Sequence, residues 1–164
     1  MIGLVKIVTA LAMLVTVQDT RPPPLADQLD EAMRIQAASV GSRLHMELNG
    51  CMKDGRNSAA VTCYYTLAKT IPLEVHADAP KSPVQRVVVE LPAGKDNVGT
   101  IVLTAVILAD LLIPALPPTQ RQTFKKKVAD DLAGPFAEGS ANLGPYDFNY
   151  QATDKKATLK IFSR

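Results

Sequence analysis

The sequence is poor in aromatic residues. It contains no tryptophan, and phenylalanine and tyrosine together make up 5% of the 164 residues. Tryptophan and tyrosine are the residues most favoured at stacking sites and at the energetic centres of protein interfaces. The core must therefore be mainly aliphatic, and the composition argues against a large aromatic binding pocket.

A strong charge of one sign is also absent. The chain has 18 basic and 16 acidic residues, for a net charge of +2. This balance creates no field that would attract a nucleic-acid backbone or an anionic membrane surface, so we predict no nucleic-acid partner. With 47% hydrophobic and 21% charged residues, the composition is that of a folded chain, and the length fits one domain.

Familiar catalytic and cofactor motifs are missing. The sequence has no GxSxG, HExxH, P-loop, GxGxxG or EF-hand pattern. Each of these motifs places a nucleophile, a metal ligand or a phosphate-binding backbone at a fixed spacing. From motifs we therefore predict no catalytic residue, no metal ligand set and no cofactor.

The first twenty residues have the pattern of a secretory signal. Lys6 precedes an uncharged apolar run over residues 7–17. This run has the length of the apolar part of a signal peptide and is shorter than the ~20 residues of a membrane span. No small-x-small cleavage site follows it, so a cleaved signal and an uncleaved anchor both stay open, and a buried N-terminal strand is a less favoured alternative. We predict a signal or anchor at 1–20, a proline-rich tether at 21–24 and one domain at 25–164, in a periplasmic or secreted protein.

Cysteine is limited to Cys51 and Cys63. An even cysteine count in an exported chain favours a disulfide. The spacing forms no CxxC redox motif, and zinc would need two further ligands that His45 and His76 do not obviously supply. Turn-forming residues at 53–58 surround the midpoint of the two cysteines, so we predict a disulfide that staples a β-hairpin.

The first half of the domain reads as one helix followed by strands. Residues 25–38 have apolar positions at helical spacing, which predicts an amphipathic helix. From Arg43 the period changes to two, and strands are predicted around 44–48, 61–68, 70–78 and 84–91. Pro72 cannot donate a ladder hydrogen bond, so the third strand is expected to be locally unpaired there or to lie at an edge.

Two helices and a hairpin are predicted in the second half. Residues 98–113 are almost wholly apolar and stop at Pro114, which predicts a helix buried across the sheet and not a membrane span. A surface helix should pack by one stripe, formed by Phe124, Val128 and Leu132. Residues 138–144 are predicted to be a loop, and strands at 146–152 and 157–162 form a hairpin.

The resulting fold class is α+β. The predicted order is α-β-β-β-β-α-α-β-β in a single domain, with an antiparallel sheet and helices packed on one face. The basic run Lys125, Lys126 and Lys127 is expected to be a solvated helix face, with a docking patch as the alternative. The order of helix and then strands occurs twice, so two related halves are possible.

Glu74, His76 and Asp78 form the most interesting polar cluster. At a spacing of two on a strand they project from the same face, where an imidazole between carboxylates can bind a divalent metal or act as an oriented base. The competing interpretation is an ordinary solvated face, since apolar residues alternate with them. His45 would approach His76 only if their strands were neighbours.

Aromatic residues cluster at Tyr146, Phe148 and Tyr150. Such a row can form a recognition platform for sugars, peptides or a partner strand, although more often it belongs to the core. Tyr64 and Tyr65 are consecutive, so on a strand they point to opposite faces, and we expect one of them to be exposed.

These observations favour an exported, non-enzymatic protein that binds a protein partner in the cell envelope or outside the cell. An inhibitor, an immunity protein and an assembly factor are all of this type. The alternative is a small metal-binding protein or enzyme that uses Glu74, His76 and Asp78. Beyond a possible uncleaved signal, no membrane span is predicted.

Overall fold

The computed structural model describes residues 22–39, 41, 43–56, 58–92 and 96–164. The predicted signal or anchor at 1–20 lies outside the described residues, as does Arg21 of the tether. The elements, in chain order, are α1 (Leu29–Ser39), β1 (Met46–Lys53), β2 (Val61–Leu67), β3 (Ile71–Ala77), β4 (Arg86–Pro92), α2 (Asn97–Leu112), α3 (Pro118–Ala133), β5 (Glu138–Leu143), β6 (Tyr146–Ala152) and β7 (Lys156–Ser163).

The strands form one antiparallel sheet in the order β1-β2-β3-β4-β7-β6-β5. Two meanders, β1 to β4 and β5 to β7, join where β4 pairs with β7. The helices pack on one face, and apolar side chains alternate toward them along each central strand. The predicted α+β class and layer arrangement are confirmed.

The prediction of a loop at residues 138–144 is wrong. Residues 138–143 form β5, which pairs with β6 in an unbroken register that includes Ala141 opposite Phe148. Glycine, serine and asparagine have low strand propensity, but Ala141 and Leu143 are buried on the helix side. Packing against neighbours outweighs intrinsic preference at this strand.

Helix α1 begins at Leu29, four residues after its predicted start. Leu25 forms a β-bridge with Pro83, and the amide of Ala26 donates to the carbonyl of Ser82. The buried Tyr65 hydroxyl donates to the carbonyl of Ala26 (2.7 Å) and accepts from the amide of Leu29 (3.3 Å). Tyr65 thus satisfies an amide at the start of the helix and ties it to β2.

Helix α2 packs across the sheet as predicted, but only the side that faces the sheet is buried. Ile101, Ala105 and Leu108 are fully buried against the sheet, while Leu103 on the outer side is 55% exposed. In the part of the chain that the structure describes, no helix is both long and apolar enough to cross a membrane.

Helix α3 packs through the predicted stripe of Phe124, Val128 and Leu132, all of which are buried. The ring of Phe124 meets Phe148 edge-on, with 4.9 Å between ring centroids. Lys126 and Lys127 pair with aspartates one turn later, as expected for a solvated helix face.

Pro72 lies in an interior strand but beyond the stretch paired on one side. The β3–β4 register covers Leu73 to His76 and does not include Pro72. The expected local loss of pairing at Pro72 is therefore confirmed.

Candidate functional site: the open face and edges of the sheet

The three helices found among the described residues lie on one side, and no described helix covers the other side of the sheet. We call this side the open face. Its central side chains come from β2, β3, β4 and β7 and mix polar, charged and apolar groups: Thr62, Tyr64, Glu74, His76, Arg86, Val88, Lys160 and Phe162.

His76 is the centre of a hydrogen-bonded row on the open face. The register places it between Thr62 on β2 and Arg86 on β4. The Thr62 hydroxyl donates to Asp54 Oδ1 (2.7 Å), so its oxygen accepts from His76 Nδ1 (2.9 Å). The other ring nitrogen, Nε2, then accepts from a guanidinium nitrogen of Arg86 (3.0 Å).

The electrostatics around His76 favour the neutral form of its imidazole. Burial lowers the pKa of His76, and the nearby Arg86 cation lowers it further, while Asp54 and Glu74 act in the opposite direction with smaller effect. Both ring nitrogens are occupied by protein partners. The arrangement holds β2, β3 and β4 in register and leaves no ring nitrogen unoccupied for proton transfer.

The predicted trio is only partly brought together. Glu74 Oε2 lies 3.8 Å from His76 Nε2. Asp78 instead accepts a hydrogen bond from Gln85 Nε2 (3.4 Å). Among the described residues, no group of three or more His, Cys, Asp or Glu side chains is placed to hold a metal ion.

His45 is exposed, as an ordinary surface histidine is, and does not lie near His76. The carbonyl of His45 accepts from the amide of Ala68, at one end of β2, whereas His76 lies opposite Thr62, at the other end. Six residues of extended strand separate these positions by about 20 Å. The alternation of apolar residues in the first strand predicts which of its side chains are buried. It carries no information about the distance along β2 between His45 and His76.

The aromatic row belongs to the core, so its rings are not presented at the surface. Tyr146, Phe148 and Tyr150 are all buried beneath the helices. The Tyr150 hydroxyl donates to Asp131 Oδ2 (2.6 Å) and so connects β6 to α3. Of the consecutive pair on β2, Tyr65 is buried and Tyr64 is 37% exposed on the open face.

Cys51 and Cys63 form the predicted disulfide across the β1–β2 hairpin. They are directly opposite in the register, with Cα atoms 4.0 Å apart. Such a short separation is typical of a non-hydrogen-bonded antiparallel pair. The prediction of a disulfide that staples a hairpin is confirmed.

A groove beside β5 was not found from the sequence, because residues 138–144 were assigned to a loop. The groove lies between α3 and the outer edge of β5 and has a volume of about 610 Å³. Its walls combine apolar groups with hydroxyl and amide groups: Thr119, Gln120, Thr123, Phe124, Lys127, Ser140, Ala141, Asn142 and Leu143. The alternation of Ala141 and Leu143 with Ser140 and Asn142 was the available signal.

Comparison of the chain with protein-family models, curated proteins and solved structures finds no match.

Proposed function

We propose that this chain is an exported, non-enzymatic binding protein that recognises a protein partner through the sheet surface left uncovered by its helices. The observation that carries this proposal is the position of all three helices on one face of a seven-stranded sheet. In the part of the chain that the structure describes, no helix covers the opposite face, and no further strand pairs with β1 or β5 at the two ends. An inhibitor, an immunity protein and an assembly factor all belong to this functional class.

The uncovered surface has the composition of a binding surface. Tyr64 is 37% exposed on the open face, and Met52 on β1 is 64% exposed. Tyrosine and methionine are enriched at interfaces, where a polar surround excludes water from a few apolar anchors. In this row, the hydrogen bond to His76 Nε2 holds the Arg86 guanidinium in place, and the guanidinium has further N–H donors.

Export is supported by two independent features. The disulfide between Cys51 and Cys63 is of a kind that persists in oxidising compartments. The charged head and apolar run of the first twenty residues have the pattern of a secretory signal. Together they favour a periplasmic or extracellular location.

The test uses the oxidised protein as bait in an envelope extract from its own host. The wild-type protein and a Leu103→Glu variant, altered on the exposed helical side, should capture the same partner in stoichiometric amount. Capture of no specific partner, or capture lost in Leu103→Glu while the fold is retained, would contradict the proposal. Intact mass measured without reductant on protein recovered from the host reports both the signal and the disulfide.

The alternative function, a metal-binding protein or enzyme using Glu74, His76 and Asp78, has a direct test. Titration with zinc, manganese and nickel, followed by calorimetry, measures binding to the wild-type protein and to His76→Ala. Specific binding that His76→Ala abolishes would favour this alternative over the binding protein.

A further inference from the structure

The two halves of the disulfide differ in their access to solvent. Cys63 lies on β2, between β1 and β3, and its side chain is 0% exposed. Cys51 lies directly opposite on β1, at the end of the described sheet, and is exposed. In the folded protein, a molecule from solution therefore meets the bond at Cys51.

The direction of attack on a disulfide increases this difference. In thiol–disulfide exchange a thiolate attacks one sulfur, in line with the S–S bond and opposite the sulfur that leaves, and forms a mixed disulfide. For Cys63 this approach comes from β3, where Val75 lies directly opposite in the register and is fully buried. For Cys51 it comes from beyond β1, where no further strand pairs in the described chain.

The surface around Cys51 has room for an adduct and a positive charge beside it. All five residues from Asn49 to Lys53 are exposed. Lys53 is the next residue on the same side of β1, about 7 Å along the strand. It forms no ion pair among the described residues, so its charge attracts an anion to this part of the edge.

From these observations, we propose that Cys51 is the reactive half of the disulfide and forms a mixed disulfide with a small anionic thiol. The thiolate forms a new S–S bond to Cys51 Sγ, and the bond between Cys51 and Cys63 breaks. Its electron pair stays on Cys63 Sγ, which takes a proton from water, so the exchange needs no further oxidant or reductant. This modification site does not depend on the binding function proposed above.

The first experiment locates the adduct. Oxidised, folded protein is incubated with reduced glutathione, the exchange is stopped with acid, and the freed thiol is blocked with a maleimide. Trypsin cleaves after Lys53 and Arg56, so the two cysteines fall on separate peptides whose masses show which sulfur carries glutathione. We expect the adduct on Cys51 at least about tenfold more often than on Cys63.

A matched pair of core variants tests why Cys63 is protected. Val75→Ala removes the side chain in line with Cys63, so the share of adduct on Cys63 should rise. Val87→Ala is the control, because Val87 is also fully buried and lies opposite Val75 on β4, one strand further from the disulfide. This control should leave the share unchanged.

A second pair of variants tests the charge beside Cys51. Lys53→Glu should slow the reaction with glutathione but not the reaction with uncharged mercaptoethanol. Lys155→Glu makes the same change at an exposed position in the turn between β6 and β7, far from the disulfide, and should react like the wild type.

Several outcomes would overturn the inference. Equal amounts of adduct on the two sulfurs, or more on Cys63, would contradict the assignment to Cys51. An exchange rate that rises in dilute urea in proportion to the unfolded fraction would also contradict it, since the bond would then react only after global unfolding. Equal rates of Lys53→Glu and the wild type with glutathione would contradict the choice of an anionic thiol.

Discussion

The two ends of the sheet treat an incoming strand differently. At one end, β1 has a register shift between Leu48 and Gly50, where Gly50 adopts φ +147°, and it ends in Lys53. Bulges and edge lysines are devices that discourage pairing with another chain. At the other end, β5 pairs in an unbroken register and has a groove beside it. Among the described residues, β1 therefore has features that discourage an added strand, and the regular ladder of β5 has no such bulge.

The largest effect should come from the core beneath β5. Phe124 is buried and packs on Phe148, so Phe124→Ala should lower the free energy of unfolding by about 3 to 5 kcal/mol. Denaturant unfolding measures the loss. Hydrogen exchange should increase first in β5 and α3, and an equal increase at β1 would contradict a local effect of the Phe124 ring.

The next prediction concerns the disulfide of the β1–β2 hairpin, at the other end of the sheet from β5. Replacing Cys51 and Cys63 together by alanine should cost about 3 kcal/mol, the chain-entropy value for a closed loop of this length. Thermal unfolding with and without reductant gives the comparison, since reduction of the wild type should reproduce the loss. Hydrogen exchange should rise in the β1–β2 hairpin while β5 stays protected. Faster exchange at β5 instead would show that the two ends are coupled.

Smaller losses of stability are expected when the glycine of each edge strand, Gly139 on β5 and Gly50 on β1, is replaced by alanine. Gly139→Ala should destabilise by roughly 1 to 3 kcal/mol, because the methyl group meets Asp131 and Tyr150 where α3 touches β5. Gly50→Ala meets no atom within 4 Å, so its cost of about 1 kcal/mol comes from backbone conformation alone. Urea unfolding midpoints of the two variants give the comparison. A larger loss of stability for Gly50→Ala than for Gly139→Ala would show that β1 is the more tightly constrained edge.

The smallest effect is a pH dependence at the open face. The folded state lowers the pKa of His76, while the unfolded chain has a value of about 6.5. The unfolded state therefore binds the proton more readily, so stability from neutral His76 is present above that pH and is lost as the pH falls toward the folded value. Unfolding from pH 7.5 down to about 5 should show a slope that His76→Gln reduces. His45→Gln is the control for loss of a histidine, and an unchanged slope in His76→Gln would contradict the assignment.

Local patterns predicted most of this fold and little of its surface. The alternation of Leu73, Val75 and Ala77 identified a strand because burial on one face leaves a period of two. The spacing of Cys51 and Cys63 around turn residues predicted a hairpin because both features are local. The offset between His45 and His76, by contrast, depends on strand register, which no local pattern contains.

The groove beside β5 was not predicted from the sequence for a related reason. Gly139, Ser140 and Asn142 have the composition of a turn, and their strand conformation depends on pairing with residues that follow in the chain. The neighbouring groove exists only after α3 has packed on Phe148. The groove forms where α3, β5 and β6 meet, so the local sequence of none of these elements predicts it.

The position of β7 determines when the sheet can close. This strand follows every other strand in the chain, yet it lies between β4 and β6. During synthesis, β4 and the β5–β6 hairpin have nothing to join them until Lys156–Ser163 has left the ribosome. The two meanders can therefore pair into one sheet only once β7 has formed.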